Sequence, residues 1–372
     1  MSSATSKLGS PPSMLNFHAA LCYFPKYSVG RGKRLLKAFP NPAAIWLAEL
    51  EELVAAGLDP AIAEEFMSWR ETAPVEKITR ELAEAGVQTS SINDSDYPKL
   101  LKEISDPPAI IFYRGKLPDN SLPILSVVGT RRCTAYGRKV TEDLVKELAA
   151  AGVAIVSGLA LGIDGIAHAA ALEAGGKTFA VLGSGVDRST VSPLSHLGLA
   201  DEIVAKGGGI ISEYPPGFKP TPYSFPARNR IIAGLSMATL ITEAPLESGA
   251  LITAARCLDY NREVLVVPHP INSLLGAGGN EFLRKGAALV TSAADILGLL
   301  HLDILKTQTF SRPAPENDIE EKIFAAISAG PKHIDEIIKI TKIPASSLTG
   351  ALTLLELKAK IQNLGGMTYQ WA

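Results

Sequence analysis

Nowhere in the 372-residue chain does an uncharged apolar run reach the roughly 20 residues that cross a bilayer. The opening "MSSATSKLGSPPS" lacks the apolar heart of a signal peptide, so secretion and membrane insertion are not expected and residues 1–14 read as a disordered tail. Cysteine is scarce: Cys22, Cys133 and Cys257 are an odd number, far apart, without a C-x-x-C pair or a histidine at metal spacing. That excludes a disulfide framework, predicts no metal and suits a reducing cytoplasm. A surplus of positive charge is missing as well, with 36 Lys plus Arg against 38 Asp plus Glu. Any polyanion site must therefore be local.

What is present is a large apolar fraction, 47%, in three successive patterns. Residues 15–85 show helical periodicity in "AAIWLAELEELVAAGL" and "AIAEEFMSWRE", the pattern of a small helical domain of SAM or helix-hairpin-helix type. Inside it, "VGRGKRLLKAF" is compatible with a glycine turn that offers backbone N–H groups to a phosphate, or with a plain tight turn between helices. Residues 90–303 alternate short β-branched runs ("ILSVV", "AIVS", "TFAVL", "GIIS", "ATLIT", "EVLVV") with helical stretches, which predicts a Rossmann-like α/β core around a parallel sheet. Residues 304–317 are Pro-rich and polar, a linker. Residues 318–372 predict three short helices, Pro344 opening the third, and a Gly-Gly hairpin, in the order of a winged helix.

In a parallel sheet the ligand crevice lies beyond the carboxyl ends of the strands. After "ILSVV" come Gly129, Thr130, Arg131 and Arg132. A dinucleotide turn needs glycine where Arg131 and Thr134 stand, so an arginine-bearing anion loop is the better reading. After "AIVS" the glycines Gly158, Gly162 and Gly165 permit close approach, with Asp164 a candidate helix cap. Asp164 and His168, one turn apart, suggest a structural hydrogen bond more than acid–base work, because no nucleophile accompanies them. "GGKT" fails as an ATP loop, since it closes a helix and opens a strand.

"SEYPPGFKPTPYSFPARNRIIAGLS" interleaves Phe218, Tyr223 and Phe225 with Lys219, Arg228 and Arg230, the mixture that holds single-stranded nucleic acid. Arg228 and Arg230 point about 200° apart on a helix, so one of them is expected in a structural ion pair. In "EAPLESGALITAA", Ser248 and Gly249 precede a helix and form either a second anion nest or an ordinary cap.

The blocks "VGTRRCTAYG", "SGLALGIDGIAHAAAL", "ISEYPPG", "FPARNRIIAGLS" and "TEAPLESGALITA", in this order, resemble the signatures of the DNA-processing protein A family, also called DprA or Smf. The resemblance implies a dimeric, non-catalytic cytoplasmic protein without cofactor. Such a protein binds single-stranded DNA during natural transformation, helps load the recombinase RecA and displaces single-strand-binding protein. It places the family's phosphate contact on Gly129, Thr130 and Arg131 and its aromatic contact on Phe225, followed by Arg228, Asn229 and Arg230. Where some relatives carry a basic residue three positions before that phenylalanine this chain has Pro222, and Lys219 stands as the substitute. The presumed recognition helix "ASSLTGALTLLEL" has no basic residue, which favours protein contact over a DNA groove. The rival reading is a phosphoribohydrolase-like nucleotide-cleaving enzyme; its expected Gly-Gly-x-Gly-Thr loop is missing. A third is a structural partner protein whose loops bind nothing.

Overall fold

The computed structural model describes residues 14–302, 315–328, 330–358, 360–363 and 365–371. The tail expected over residues 1–14 lies, except for Met14, outside them, as does most of the linker. Two compact units divide at Leu305 and Lys306.

The first unit opens with helices α1 (Met14–Tyr23), α2 (Val29–Ala38), α3 (Pro42–Leu47), α4 (Leu50–Ala55), α5 (Pro60–Thr72) and α6 (Val75–Glu84). Their starts follow local chemistry. Ser28, Asn41 and Asp59 cap three of them, and proline occupies the first turn of α3 and α5. Phe24, Trp46, Phe66 and Trp69 meet edge-on or tilted within 6.2 Å. The "VGRGKRLL" glycines form no turn: Gly30 and Gly32 lie inside α2, which starts at Val29 under the Ser28 cap.

The sheet follows: β1 (Gln88–Ser91), α7 (Lys99–Lys102), β2 (Ile110–Gly115), β3 (Ile124–Val128), α8 (Ala135–Ala150), β4 (Ala154–Ser157), α9 (Ile163–Glu173), β5 (Thr178–Val181), α10 (Leu197–Ala205), β6 (Gly209–Ser212), α11 (Ser224–Gly234), β7 (Ala238–Ile241), α12 (Ala250–Asp259), β8 (Glu263–Val266), α13 (Ala277–Arg284), β9 (Ala288–Leu289) and α14 (Ala293–Leu299). Each apolar run singled out in the sequence is a strand. Those from β3 to β7 are buried along their whole length, as strands covered by helices on both faces must be.

Strand order is β1-β2-β6-β5-β4-β3-β7-β8-β9. The sheet is mostly rather than wholly parallel. β2 pairs antiparallel with β6, and β1 with β2. "QTSS" and "IIFYRG" precede the strand–helix alternation, and no local pattern tells which way a strand will run. The N-terminal helices share one apolar core with this edge, Phe24, Leu35, Ile45 and Phe66 belonging with Ile110 and Phe112. There is accordingly no packing gap near residue 88.

From β3 the chain steps outward through β4, β5 and β6, then returns to place β7 on the other side of β3. Loops after β3 and β7 must therefore leave in opposite directions. That opens a crevice at the carboxyl ends of these two central strands.

The second unit contains α15 (Asp318–Ile327), β10 (Lys332–His333), α16 (Ile334–Thr341), α17 (Ala345–Leu357), β11 (Ile361–Asn363) and β12 (Thr368–Trp371), with strand order β10-β12-β11. Pro344 is the N-cap residue of α17, and Gly365 and Gly366 turn between β11 and β12 at φ 98° and 58°. Ile323, Ile327, Leu348, Leu352 and Leu355 fill its core. This is a winged helix.

Candidate functional site

A cleft of about 780 Å³ opens at the β3/β7 crevice. Its first wall is the loop after β3. Gly129 is held so closely that a Cβ would stand 2.5 Å from Ile163 and 2.7 Å from the Glu243 carbonyl, which explains why the first glycine of a phosphate turn persists here. The Thr130 N–H donates to the Glu243 carbonyl at 2.7 Å, and its own carbonyl accepts from Ile163 N at 3.2 Å. Thr130 Oγ1 accepts from the Arg132 N–H at 3.2 Å. Beyond it Thr134 caps α8, accepting from Gly137 N, while its own N–H and hydroxyl both donate to the buried Glu243 carboxylate at 2.7 Å. Glu243, two residues after the end of β7, braces the loop from across the crevice. It was legible only as a glutamate after a strand.

With the backbone held this way, Arg131 and Arg132 project from a rigid loop and stay exposed. The opposite wall is the start of α11. Phe225, half-buried, faces Arg131, the guanidinium carbon lying 5.7 Å from the ring centroid. Asn229 donates to the Gly249 carbonyl at 3.1 Å and ties α11 to the loop before α12. Ser248 and Gly249 complete the rim. The cap of α12 is Gly249 rather than Ser248, whose hydroxyl accepts from Ala250 N at 3.3 Å.

Arg228 lines the floor, buried. One of its nitrogens donates to the Gly158 carbonyl at 2.8 Å and to the Val181 carbonyl. Burial pulls its pKa down to about 10, against the opposing charge of Asp164, with Arg131 adding repulsion. Burial likewise pushes Asp164 up, opposed by Arg228 and by the N–H groups of Ala160 and Gly158. The result is two exposed guanidiniums beside an aromatic face, above a floor where Arg228 lies against Asp164. A phosphodiester fits the cations and a base fits the ring.

This arrangement coincides with a known sequence signature. The model of the family described as DNA recombination-mediator protein A matches residues 88–301. The chain belongs to that family. A second model, the DprA winged helix domain, matches residues 308–367 of this DprA/Smf-family chain. Among curated relatives, protein Smf of Synechocystis is 36% identical over 315 residues, which span 75% of this chain and 78% of that one. DNA processing protein DprA of Bacillus subtilis is 42% identical over 224 residues, 59% of this chain and 74% of its own. The solved structure of DNA processing protein A from Streptococcus pneumoniae superposes with a TM-score of 0.66 at 34% identity, covering 76% of this chain and 97% of that one. The Helicobacter pylori protein superposes at 0.51 and 33% identity, covering 59% and 99%; its structure is described as showing a single-stranded DNA binding mode.

Within this DprA/Smf chain, three of the candidate residues stand outside the cleft. Arg230 is the structural arginine: its Nη2 donates to both Glu213 oxygens at 2.5 Å and its Nη1 to the Asp106 carbonyl at 2.8 Å, all behind α11. The 200° separation sends the two arginines to different sites, both buried, and the Glu213 carboxylate takes Arg230. Gly158 is buried behind Arg228 and gives it only a carbonyl. Lys219 is exposed but off the rim, so Pro222 has no basic substitute within the cleft. Phe218 is engaged elsewhere, stacked on Tyr214 at 4.2 Å.

Asp164 and His168 do not pair. Asp164 turns to the N–H groups of Gly158 and Ala160, and His168 Nδ1 meets Thr178 Oγ1 at 2.6 Å. Asp164 sits in the first turn of α9, whose N-cap is Gly162. Complete burial lowers the His168 pKa to about 3, so its ring is neutral. Cleft residues that no local pattern announced arrive from the loops after β7 and β8, Pro245 and Leu275, and from the start of α12, Ile252 and Thr253. Among the described residues no group of three or more His, Cys, Asp or Glu side chains is placed to hold a metal, and no helix is long and apolar enough to cross a membrane.

Proposed function

We propose that this DprA/Smf-family chain binds single-stranded DNA without catalytic turnover and acts in the cytoplasm as a homodimeric recombination mediator. It receives incoming strands during natural transformation and passes them to RecA as single-strand-binding protein is displaced. The observation that carries the reading is the Arg131–Phe225 pair: one guanidinium and one ring, on opposite walls of the same switch-point cleft, 5.7 Å apart. An arginine grips a phosphate oxygen and an aromatic face takes a base of any identity, so a strand is held without regard to sequence. The proposed DNA contacts are Gly129, Thr130, Arg131, Arg132, Phe225, Asn229, Ser248 and Gly249, with Arg228 forming the floor beneath them.

The nucleotide-cleaving alternative finds less support. The carboxylate on the cleft lining, Asp164, is buried beside Arg228 with one oxygen accepting from the N–H groups of Gly158 and Ala160, a placement that suits holding the floor more than reaching a substrate. The winged helix supports a protein partner better than a duplex groove. Along α17 the exposed side chains include Thr349, Thr353, Leu354 and Leu357 and none is basic.

The test is a titration of the purified chain with labelled oligo-dT and duplex at several salt concentrations, alongside a nucleoside-monophosphate turnover assay. The expected outcome is preference for the single strand, a log–log salt slope of about −0.7 per phosphate contacted, and no turnover. Affinity indifferent to salt, or cleavage of the nucleotide, overturns the reading.

A further inference from the structure

The "VGRGKRLLKA" helix is unexplained by the cleft. The first acidic residue of the chain is Glu49, so the segment containing α2 is purely cationic. At 100° per residue, positions 30, 33, 34 and 37 fall within one arc of about 100°. Those positions are Gly30, Lys33, Arg34 and Lys37, all exposed, while Leu35, Leu36 and Gly32 turn inward and are buried. Among the described residues Lys26 is neutralised by Glu65 at 2.5 Å, whereas Arg34 and Lys37 have no acidic partner.

The two glycines differ in a telling way. Gly32 is demanded by packing, because a Cβ there would stand 2.2 Å from the Tyr27 hydroxyl oxygen. At Gly30 a Cβ would meet nothing within 4 Å, and its backbone does not have a positive φ. Glycine in an exposed first turn weakens a helix and nothing inside the protein asks for it. It does leave the basic face flat, so that a polymer backbone can lie against it.

This face stands on the same rim of the sheet as the cleft. Lys33 Nζ donates to the Ser105 carbonyl at 2.9 Å, and the next residue, Asp106, accepts from Arg230 on α11, the helix that carries Phe225. On the other side, Glu213 directly follows the carboxyl end of β6; burial pushes the Cys22 thiol of α1 up to about 12, against a hydrogen bond with Tyr27 and with the Glu213 charge adding to the rise.

We propose that the Gly30–Lys33–Arg34–Lys37 face of α2 is a second phosphate-backbone site, which takes the continuation of the single strand held in the cleft. It rests on the reading of the cleft and adds length dependence to it: a short strand fills the cleft, and a longer one also lies across α2. Contacts there are to phosphates and carry no sequence preference.

The experiment uses the full chain, with Gly30→Glu and the double variant Arg34→Ala/Lys37→Ala. Gly30→Glu enters open space and improves the helix, so it keeps the fold while placing a negative charge on the face. Affinities are measured for oligo-dT on the order of 6 and of 30 nucleotides. The expected result is unchanged short-oligo affinity, weaker long-oligo binding for both variants, and a salt slope reduced by about 1.4 in the double variant. The gap between wild type and double variant on the long oligo then shrinks about 7-fold between about 50 and 200 mM salt. Equal losses on both lengths, no loss on the long one, or a loss confined to duplex DNA or anionic vesicles overturns this proposal. Failure of the wild type to bind the short oligo overturns the cleft reading instead.

Discussion

The loop after β3 and the helix α11 each carry two arginines, and the molecule treats them in opposite ways. Arg131 and Arg132 stand in water on a loop whose backbone is fixed by Glu243, Thr130 and Ile163. Arg228 and Arg230 are buried, their guanidiniums spent on the carbonyls of Gly158, Val181 and Asp106 and on the Glu213 carboxylate. The lesson is that charge available to a ligand depends on what the fold has already offered the side chain. Arginine carries five N–H donors, and a buried one spends those it uses on its own protein.

The strongest way to break this comparison is at Arg230. Its side chain is 10% exposed and that of Glu213 6%, so Arg230→Ala leaves a carboxylate buried without a partner. A loss of about 3–5 kcal/mol of folding stability is expected in urea denaturation. A change under about 1 kcal/mol would mean that the pair is not structural.

A second test addresses the buried polar groups as a class through pH. His168 is held neutral in the fold at a pKa of about 3, against about 6.5 in the unfolded chain. Below the unfolded value only the unfolded state takes up this proton, so stability is lost as pH falls from about 6.5 towards 3, by at most about 1.4 kcal/mol per pH unit. In His168→Asn that contribution vanishes and the acid limb of stability against pH is shallower. An unchanged limb would refute the neutral, buried histidine.

Smaller effects sharpen the exposed side. Arg131→Ala is expected to weaken oligo-dT binding about 10- to 150-fold, the worth of about 1.5–3 kcal/mol for a charged hydrogen bond, with stability unchanged within about 0.5 kcal/mol. Arg138→Ala, where an exposed arginine pairs with Glu142 at 3.6 Å, should alter either quantity by no more than about 0.5 kcal/mol. Equal binding losses at the two positions would mean diffuse charge and no defined cleft.

Much of this was legible along the chain. Runs such as "AIVS" and "ATLI" are apolar on both faces because helices cover both sides, and the Gly that follows "ILSVV" and "AIVS" marks carboxyl ends where ligands bind. The Gly129–Arg132 loop was visible for that reason. The Arg228/Arg230 dilemma was visible too, as an angle on a helix, but its resolution was not. Glu213 lies 17 positions before Arg230 and nothing local links them. Lys219, read as the stand-in for Pro222, lies off the cleft rim, because nearness in sequence along a proline-rich loop says little about where a side chain ends up. Asp164 and His168 misled in the same way: one turn of helix brings two side chains to one face, but tertiary partners, two N–H groups and Thr178, claimed each of them first.

Periodicity, capping residues and the order of short blocks were enough to specify an α/β core, its strand ends, a terminal winged helix and the family. They act over a few residues, and local chemistry decides them. The crevice itself came from the return of the chain between β6 and β7, which places the Gly129 loop and Phe225 face to face across 96 positions of sequence. Which arginines meet solvent there followed from burial and from the carbonyls and carboxylates that packing had set beside them. Those partners exist only once the sheet has closed, so no local pattern carries them.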